Sequence, residues 1–259
     1  MTPFIAEIIG TAILIIFGNG VVANVVLNKT KGHQGGWIVI TWGWAIGVFA
    51  GVFTVAQFSG AHINPAVTVG LATAGLFQWN LVLPYVIAQT LGAAIGSLLV
   101  WVSYKDHFAA TENKDLILAC HSTAPNIRNY PANFMTEIIG TFILVFGVLY
   151  IAAPGFTSAD GQFLEAIIID GQEVGFGLGA LSALPVALLV LGLGLSLGGP
   201  TGYAINPARD LGPRIMHALL PIPSKGSSDW AYSWVPILAP VTGAALAAGL
   251  FLSRSLFRA

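Results

Sequence analysis

The sequence predicts an all-α integral membrane protein in which six transmembrane helices and two re-entrant half-helices form an inverted repeat. Three observations carry that prediction. Of 259 residues, 56% are hydrophobic and 8% are charged, against roughly 25% charged in a soluble domain. Apolar stretches of about 20 residues, long enough to cross a bilayer, recur along the chain. The phrase Ile-Asn-Pro-Ala occurs twice, at 63–66 and 205–208, each time followed by an apolar run too short for a full crossing.

Taken in order, the full spans fall at about 4–27, 37–57, 81–104, 133–153, 179–198 and 233–254. No Lys or Arg precedes the first apolar run and no small-residue cleavage site follows it, so the reading is a first span and not a cleaved signal peptide. The short segments are about 64–77 and 206–219. At 1.5 Å per residue, about ten residues cover half of a ~30 Å hydrocarbon core, which suits half-crossings. The second span carries Gly43, Gly47 and Gly51, and the third carries Gly92 and Gly96. Small residues every fourth position let helix backbones approach closely in lipid.

The halves resemble each other. "AEIIGTAILIIFG" from Ala6 matches "TEIIGTFILVFG" from Thr136, so Glu7 corresponds to Glu137 (137 − 7 = 130). Asn64 corresponds to Asn206 (206 − 64 = 142), which leaves 12 more residues between the markers of the second half. The polar, glycine-containing stretch 154–178 is the natural place for them, and within it Phe163 to Leu178 reads as a re-entrant or interfacial segment or a lid. Three spans per half, an odd number, make consecutive halves enter the membrane from opposite sides, as in an inverted repeat. The whole chain, 1–259, then reads as one domain: repeat one at about 1–104, a linker loop at 105–132, and repeat two at 133–259.

Asn-Pro-Ala is a helix start. Asparagine caps a first turn with its side-chain oxygen, proline suits the next position, and alanine is a strong helix former. Asn64, Pro65 and Ala66, and Asn206, Pro207 and Ala208, therefore each begin a half-helix. In an inverted pair the two N-termini meet near the midplane and their positive dipole ends converge. With the cap oxygens occupied, the Asn64 and Asn206 amide N–H groups are expected to point into a lumen. The approaches, Gly60, Ala61, His62 and Ile63, and Gly202, Tyr203, Ala204 and Ile205, are expected to be extended and to offer their carbonyls as a ladder of acceptors. Donors at the centre and acceptors on both sides make a track for neutral molecules bearing O–H or N–H groups, and converging positive ends oppose cations and protons. Glu7 and Glu137 are ionisable groups inside apolar spans. Their symmetric placement favours satisfying backbone N–H groups of the loop ahead of each half-helix over a proton relay.

These residues make the chain resemble the aquaporin, or major intrinsic protein, family across its whole length. Within it, "NPARD" at 206–210, with Asp210 as the marker, resembles the glycerol-facilitator branch. The resemblance implies a constriction of four residues that falls on Trp44, Gly194, Tyr203 and Arg209. Arg209 would donate to solute hydroxyls and repel cations. Gly194 stands where water-selective members carry a histidine, and its missing ring is expected to widen the passage. Trp44 and Tyr203 would form an aromatic corner for a carbon skeleton; glycerol facilitators often have phenylalanine at the latter position.

The resemblance thus implies a passive channel for glycerol, water and similar small neutral solutes, set in the lipid bilayer of a cell membrane as a homotetramer. Urea, dihydroxyacetone and a neutral small acid are further candidate solutes. The alternatives are a secondary transporter, also built on inverted repeats, and a mainly water-selective aquaporin. It also implies cytoplasmic termini, with Lys29, Lys31, Lys105, Lys114, Arg128, Arg214 and Lys225 outside and only Arg254 and Arg258 inside. The positive-inside tendency points the other way.

Other chemistry is poorly represented. The net charge of −1 and the lack of a basic stripe argue against nucleic acid. No nucleophile–base pair, cofactor motif or phosphate loop is visible, so an enzyme is not expected. His33, His107, Cys120 and His121 fall in predicted connections without metal-ligand spacing, and Cys120 is the single cysteine. His62 reads as a loop-bracing residue next to the lumen. His217, near the end of the second half-helix, reads as a solvated residue at a negative dipole end.

Overall fold

The computed structural model describes residues 1–151, 155–164 and 166–253. Arg254 and Arg258 lie outside them, as do Pro154 and Glu165 of the stretch 154–178. Among the described residues, six helices are long and apolar enough to cross a membrane. They are α1 (Pro3–Val26), α2 (Trp37–Ser59), α4 (Trp79–Ser103), α7 (Tyr130–Tyr150), a 3₁₀ turn (Gly179–Ala183) running into α8 (Leu184–Leu197), and α10 (Val235–Ser253). Two short helices, α3 (Pro65–Thr73) and α9 (Pro207–Leu219), start at the two asparagines, so both half-helices are present. Six crossings put the start of α1 and the end of α10 on one face, termed here the terminal face. From its asparagine, α3 runs toward that face and α9 toward the opposite one.

Glycine sets how closely the spans pack. A Cβ on Gly51 of α2 would stand 2.8 Å from the Gly10 carbonyl oxygen, and one on Gly47 would stand 3.0 Å from that of Leu14. On α4, a Cβ at Gly92 would come within 2.3 Å of the Ile8 carbonyl oxygen; on α10, one at Gly243 would come within 2.5 Å of that of Ile138. Ile8 and Ile138 are 130 residues apart, so the same backbone contact occurs once per repeat. Helix backbone cannot retreat from such a contact without moving the whole helix. We therefore expect Gly92→Leu to destabilise the fold by about 1–3 kcal/mol or more. A lower midpoint of thermal unfolding in detergent is the measurement; an unchanged midpoint contradicts this packing account.

The opposite face carries the long connection, with short helices α5 (Lys105–Ala109) and α6 (Lys114–Ala119). On the terminal face, the stretch after α7 forms two antiparallel hairpins. In the first, β1 (Phe156–Thr157) pairs with β2 (Phe163–Leu164); in the second, β3 (Ala166–Ile169) pairs with β4 (Gln172–Gly175). Hairpins therefore occupy the stretch for which a re-entrant or interfacial segment or a lid was expected. Alternation of β-branched residues with short turns around Gly161 and Gly171 favours hairpins instead.

Several charges of the opposite face are locally neutralised. Arg128 pairs with Asp229. Arg214 is fully buried in an ion pair with Asp210. The Lys225 ammonium donates to the carbonyls of His217, Ala218 and Leu220, which terminates α9 at its negative dipole end. Counting loop charges therefore overstates the free positive charge on this face.

Candidate functional site

The site is built around the two asparagines. Asn64 Oδ1 accepts from the Ala66 N–H at 2.8 Å, and Asn206 Oδ1 accepts from those of Ala208 at 3.1 Å and Arg209 at 3.2 Å. Each cap satisfies donors that a helix start leaves free. Proline follows at the first helical position in both cases. The side-chain amides behave differently from expectation. Asn64 Nδ2 donates to the Ile205 carbonyl at 2.8 Å, and Asn206 Nδ2 donates to the Ile63 carbonyl at 2.9 Å. One N–H of each amide therefore ties its half-helix to the opposite loop, and a primary amide has only one more to offer. The cross-bonds are the reason: they join the two N-termini at one point.

The loops ahead of the half-helices are not extended. Gly60 (φ 78°), Ala61 (φ 51°) and Ile63 (φ 42°) are left-handed, as are Gly202 (φ 80°), Tyr203 (φ 37°) and Ile205 (φ 42°). For a β-branched residue a positive φ is uncommon and strained. The alternation turns successive N–H groups to one side, as in an anion-binding nest. Glutamate fills each nest. Glu7 Oε1 accepts from the His62 N–H at 3.0 Å and from Ser59 Oγ at 2.6 Å. Its Oε2 accepts from the Ile63 N–H at 2.7 Å and from Gln89 Nε2 at 2.8 Å. Glu137 Oε1 accepts from the Ala204 N–H at 2.9 Å and from Thr201 Oγ1 at 2.6 Å, and Oε2 from the Ile205 N–H at 2.8 Å. The hydroxyls of Ser59 and Thr201 are related by the same offset of 142 as the asparagines (201 − 59 = 142), a regularity that the sequence reading missed.

Two cavities flank the crossing point. The one on the terminal face, about 270 Å³, is lined by Gly60 to Asn64 and Asn206 on one side and by Leu14, Val48, Leu144 and Val190 on the other. It is thus a polar strip facing an aliphatic wall. The one on the opposite face, about 310 Å³, is lined by Trp44, Gly202, Tyr203, Arg209, Thr123 and Asn126, among others. His62 is buried beside the first cavity, its Nδ1 3.1 Å from Thr68 Oγ1 and its ring against Phe77 and Tyr85.

Of the four residues expected at the constriction, three line the second cavity. The Arg209 guanidinium lies over the Trp44 ring, 4.1 Å from its centroid, a cation–π contact. The Trp44 ring in turn rests against Gly18, where a Cβ would come within 2.2 Å of it. Gly194 plays another part than expected. A Cβ there would meet Tyr203 Cζ at 2.8 Å, and one at Gly198, the residue that follows α8, would meet Tyr203 Cδ1 at 2.6 Å. The two glycines form a notch that seats the Tyr203 ring, so the missing side chain at 194 is filled and does not widen the passage by its full volume. Trp37 holds the ring edge-on at 5.8 Å and donates from Nε1 to the Gly194 carbonyl at 2.9 Å.

Asp210, read only as a branch marker, is a structural node. Its Oδ2 accepts from the Thr123 N–H at 2.8 Å and hydroxyl at 2.6 Å, and both its oxygens accept from Arg214. His217, expected in solvent, is fully buried, with Nδ1 2.8 Å from Ser228 Oγ, because the chain returns over it after α9. His121 and Cys120 are buried too, and burial pushes the His121 imidazole down to about 3, since a low-dielectric site disfavours the charged ring.

Comparison with known proteins accords with this architecture. The family model described as major intrinsic protein matches residues 1–251. The chain is 52% identical over 251 residues to the probable glycerol uptake facilitator protein of Thermotoga maritima, covering 97% of this chain and 98% of that one. It is 49% identical over 251 residues to the glycerol uptake facilitator protein of Streptococcus pneumoniae, with the same coverage. Among solved structures, the aquaglyceroporin from Plasmodium falciparum superposes with a TM-score of 0.77 at 31% identity, covering 96% of this chain and 93% of that one. A multi-pass membrane protein with two half-helices capped by Asn-Pro-Ala, this chain belongs to the major intrinsic protein family, a family of channels.

Proposed function

We propose that the chain is a passive channel for glycerol and other small uncharged solutes, with water permeation, that excludes ions and protons and catalyses no reaction. The observation that carries this is the crossing of the asparagine amides between two cavities. It fixes two helix N-termini end to end, where their positive ends disfavour cations. Its relatives in Thermotoga maritima and Streptococcus pneumoniae, named as glycerol uptake facilitators, support glycerol as the solute. The polar strip facing an aliphatic wall suits a molecule with hydroxyls along one edge and C–H along the other. In this reading Trp44, Gly194, Tyr203 and Arg209 form the selectivity constriction. Gly60 to Ile63 and Gly202 to Ile205 form the lining loops, and Glu7 and Glu137 brace them. The chain acts as a single domain embedded in lipid, as one pore of a homotetramer.

A secondary transporter would need coupling-ion ligands at mid-membrane. The candidates there, Glu7 and Glu137, have both oxygens engaged by loop N–H and hydroxyl donors. In proteoliposomes followed by stopped-flow light scattering, we expect glycerol entry to exceed that of protein-free liposomes and to be the same with and without a sodium or proton gradient. Entry that requires a gradient contradicts the channel reading.

A further inference from the structure

A groove of about 460 Å³ runs over the outer surface of α1, between α2 and α4, on the half of the bundle next to the opposite face. Its deep part is apolar, with Ile16, Phe17, Ile46 and Leu99, and its outer end is polar, with Asn24, Ser103 and Tyr104. From Ile16 to Asn24 the helix rises about 12 Å, close to half of a ~30 Å hydrocarbon core. Gly20 forms part of the floor. A Cβ there would meet only the Val100 methyl, at 3.9 Å, so no close approach of another part of the chain requires this glycine. Glycine weakens a helix interior relative to alanine, and here it keeps the groove open.

The polar end lies beneath a cluster of cations. Asn24 Oδ1 accepts from the Gly32 N–H at 3.2 Å and the Asn24 carbonyl accepts from Thr30 Oγ1, which seats the segment bearing Lys29 and Lys31 at the groove mouth. Lys105 follows Tyr104, its ammonium 5.7 Å from the centroid of the Trp101 ring. Asn28 Nδ2 donates to the Ala110 carbonyl at 3.0 Å, and His107 Nδ1 lies 3.0 Å from the Asn28 carbonyl oxygen, so the two lysine-bearing segments are joined. All three lysines are exposed, and none is in an ion pair among the described residues. With Asp106 and Glu112 the cluster keeps a net charge of +1 (3 − 2 = 1).

We infer that this groove is a binding site for one anionic phospholipid, with an acyl chain lying along Gly20 and the phosphate held by Lys29, Lys31 and Lys105. The Asn24 amide and the Tyr104 hydroxyl can donate to its ester oxygens. A lipid brings the apolar chain and the negative head in the order the groove presents them. A second copy of the chain matches less well. Among the described residues, the exposed acids of this face, Asp106, Glu112 and Asp115, lie on the connection that carries Lys105, so a copy docking them here would bring its own lysine too. The inference does not depend on which solute the channel passes.

The test is native mass spectrometry of the purified protein in detergent, titrated with phosphatidylglycerol and with phosphatidylcholine of the same acyl chains. Two variants accompany the wild type. Gly20→Leu fills the groove from a position with room for a side chain, and Lys29→Gln, Lys31→Gln, Lys105→Gln removes the charge at exposed positions only. We expect the wild type to hold one phosphatidylglycerol per chain at least about ten-fold more tightly than phosphatidylcholine, since one lysine near a lipid phosphate is worth about five-fold. The triple variant should lose that preference. Gly20→Leu should lose the lipid, and phosphatidylglycerol should raise the thermal midpoint of the wild type and not that of this variant. Equal affinity of the wild type for the two lipids overturns the inference, as does either variant binding phosphatidylglycerol like the wild type. Gly20→Leu particles that keep their lipid but change in number of chains place a second copy in the groove, which overturns it as well. If Gly20→Leu does not fold, the triple variant decides.

Discussion

Glu137→Ala is expected to abolish folding of the second repeat's loop and with it all solute flux. The side chain is almost wholly buried and accepts from the N–H groups of Ala204 and Ile205 and the hydroxyl of Thr201. Truncation leaves these three donors without a partner, at about 1–3 kcal/mol each. It also removes what holds Tyr203 (φ 37°) and Ile205 (φ 42°) in the left-handed region, where such strain costs of order 1–3 kcal/mol and persists only if the surroundings impose it. The Ile205 carbonyl would no longer be aimed at Asn64 Nδ2, so the cross-bond between the half-helices fails as well. A loss of about 5 kcal/mol or more is a large part of a protein's net stability. Glu137→Gln should also be damaging, because its NH₂ would face N–H donors with one of its own. The measurement is the thermal midpoint in detergent together with glycerol and water flux. A Glu137→Ala protein that unfolds within a few degrees of wild type and still conducts would show that the nest holds its shape without the carboxylate.

Much of this architecture was legible because the signals are local. Asparagine followed by proline specifies a helix start through contacts within one turn, so Asn64 and Asn206 announced their half-helices. Glu7 and Glu137 were found through the repeat, since a charge in an apolar span needs a partner and both occupy equivalent places. The hydroxyls of Ser59 and Thr201 carried the same signature, yet a serine or threonine ahead of glycine looks like ordinary turn chemistry. The sign of φ at Ile63 and Ile205 was not legible, because local preference opposes it and only the distant carboxylates impose it.

The Tyr203 seat was hidden for a related reason. It is assembled from Trp37 on α2, Gly194 on α8, Gly198 just past its end and the loop before α9, and no spacing in the sequence links them. Glycine at 194 suggested open space when considered alone. In three dimensions, the volume that one residue gives up a neighbour can take, and here an aromatic ring nine positions later does so. His217 was misjudged in the same way: proximity to a helix end suggested solvent, but the segment after α9 folds back and buries it.

Arg214→Met is expected to have the second largest effect. The guanidinium and the Asp210 carboxylate are both fully buried, with Nε 2.7 Å from Oδ1 and Nη2 2.9 Å from Oδ2. The remaining donors go to the carbonyls of Thr123, Ser228 and Asp229. One side chain thus fastens α9 to the connection before α7 and to the segment that returns after α9. Removing it strands a buried carboxylate, at about 3–5 kcal/mol, and frees the Thr123 segment that lines the cavity beside Arg209. Flux should fall together with the thermal midpoint. The double variant Asp210→Leu, Arg214→Met removes the stranded charge and should regain part of the loss. Recovery should remain incomplete, because the Thr123 N–H and the three carbonyls still lack partners. Lysine at 214 should not restore the wild type, since a compact ammonium cannot reach a carboxylate and three carbonyls with the geometry of a planar fork. A single variant as stable as wild type would mean that water replaces the guanidinium at no cost, and that the loop is held by other contacts.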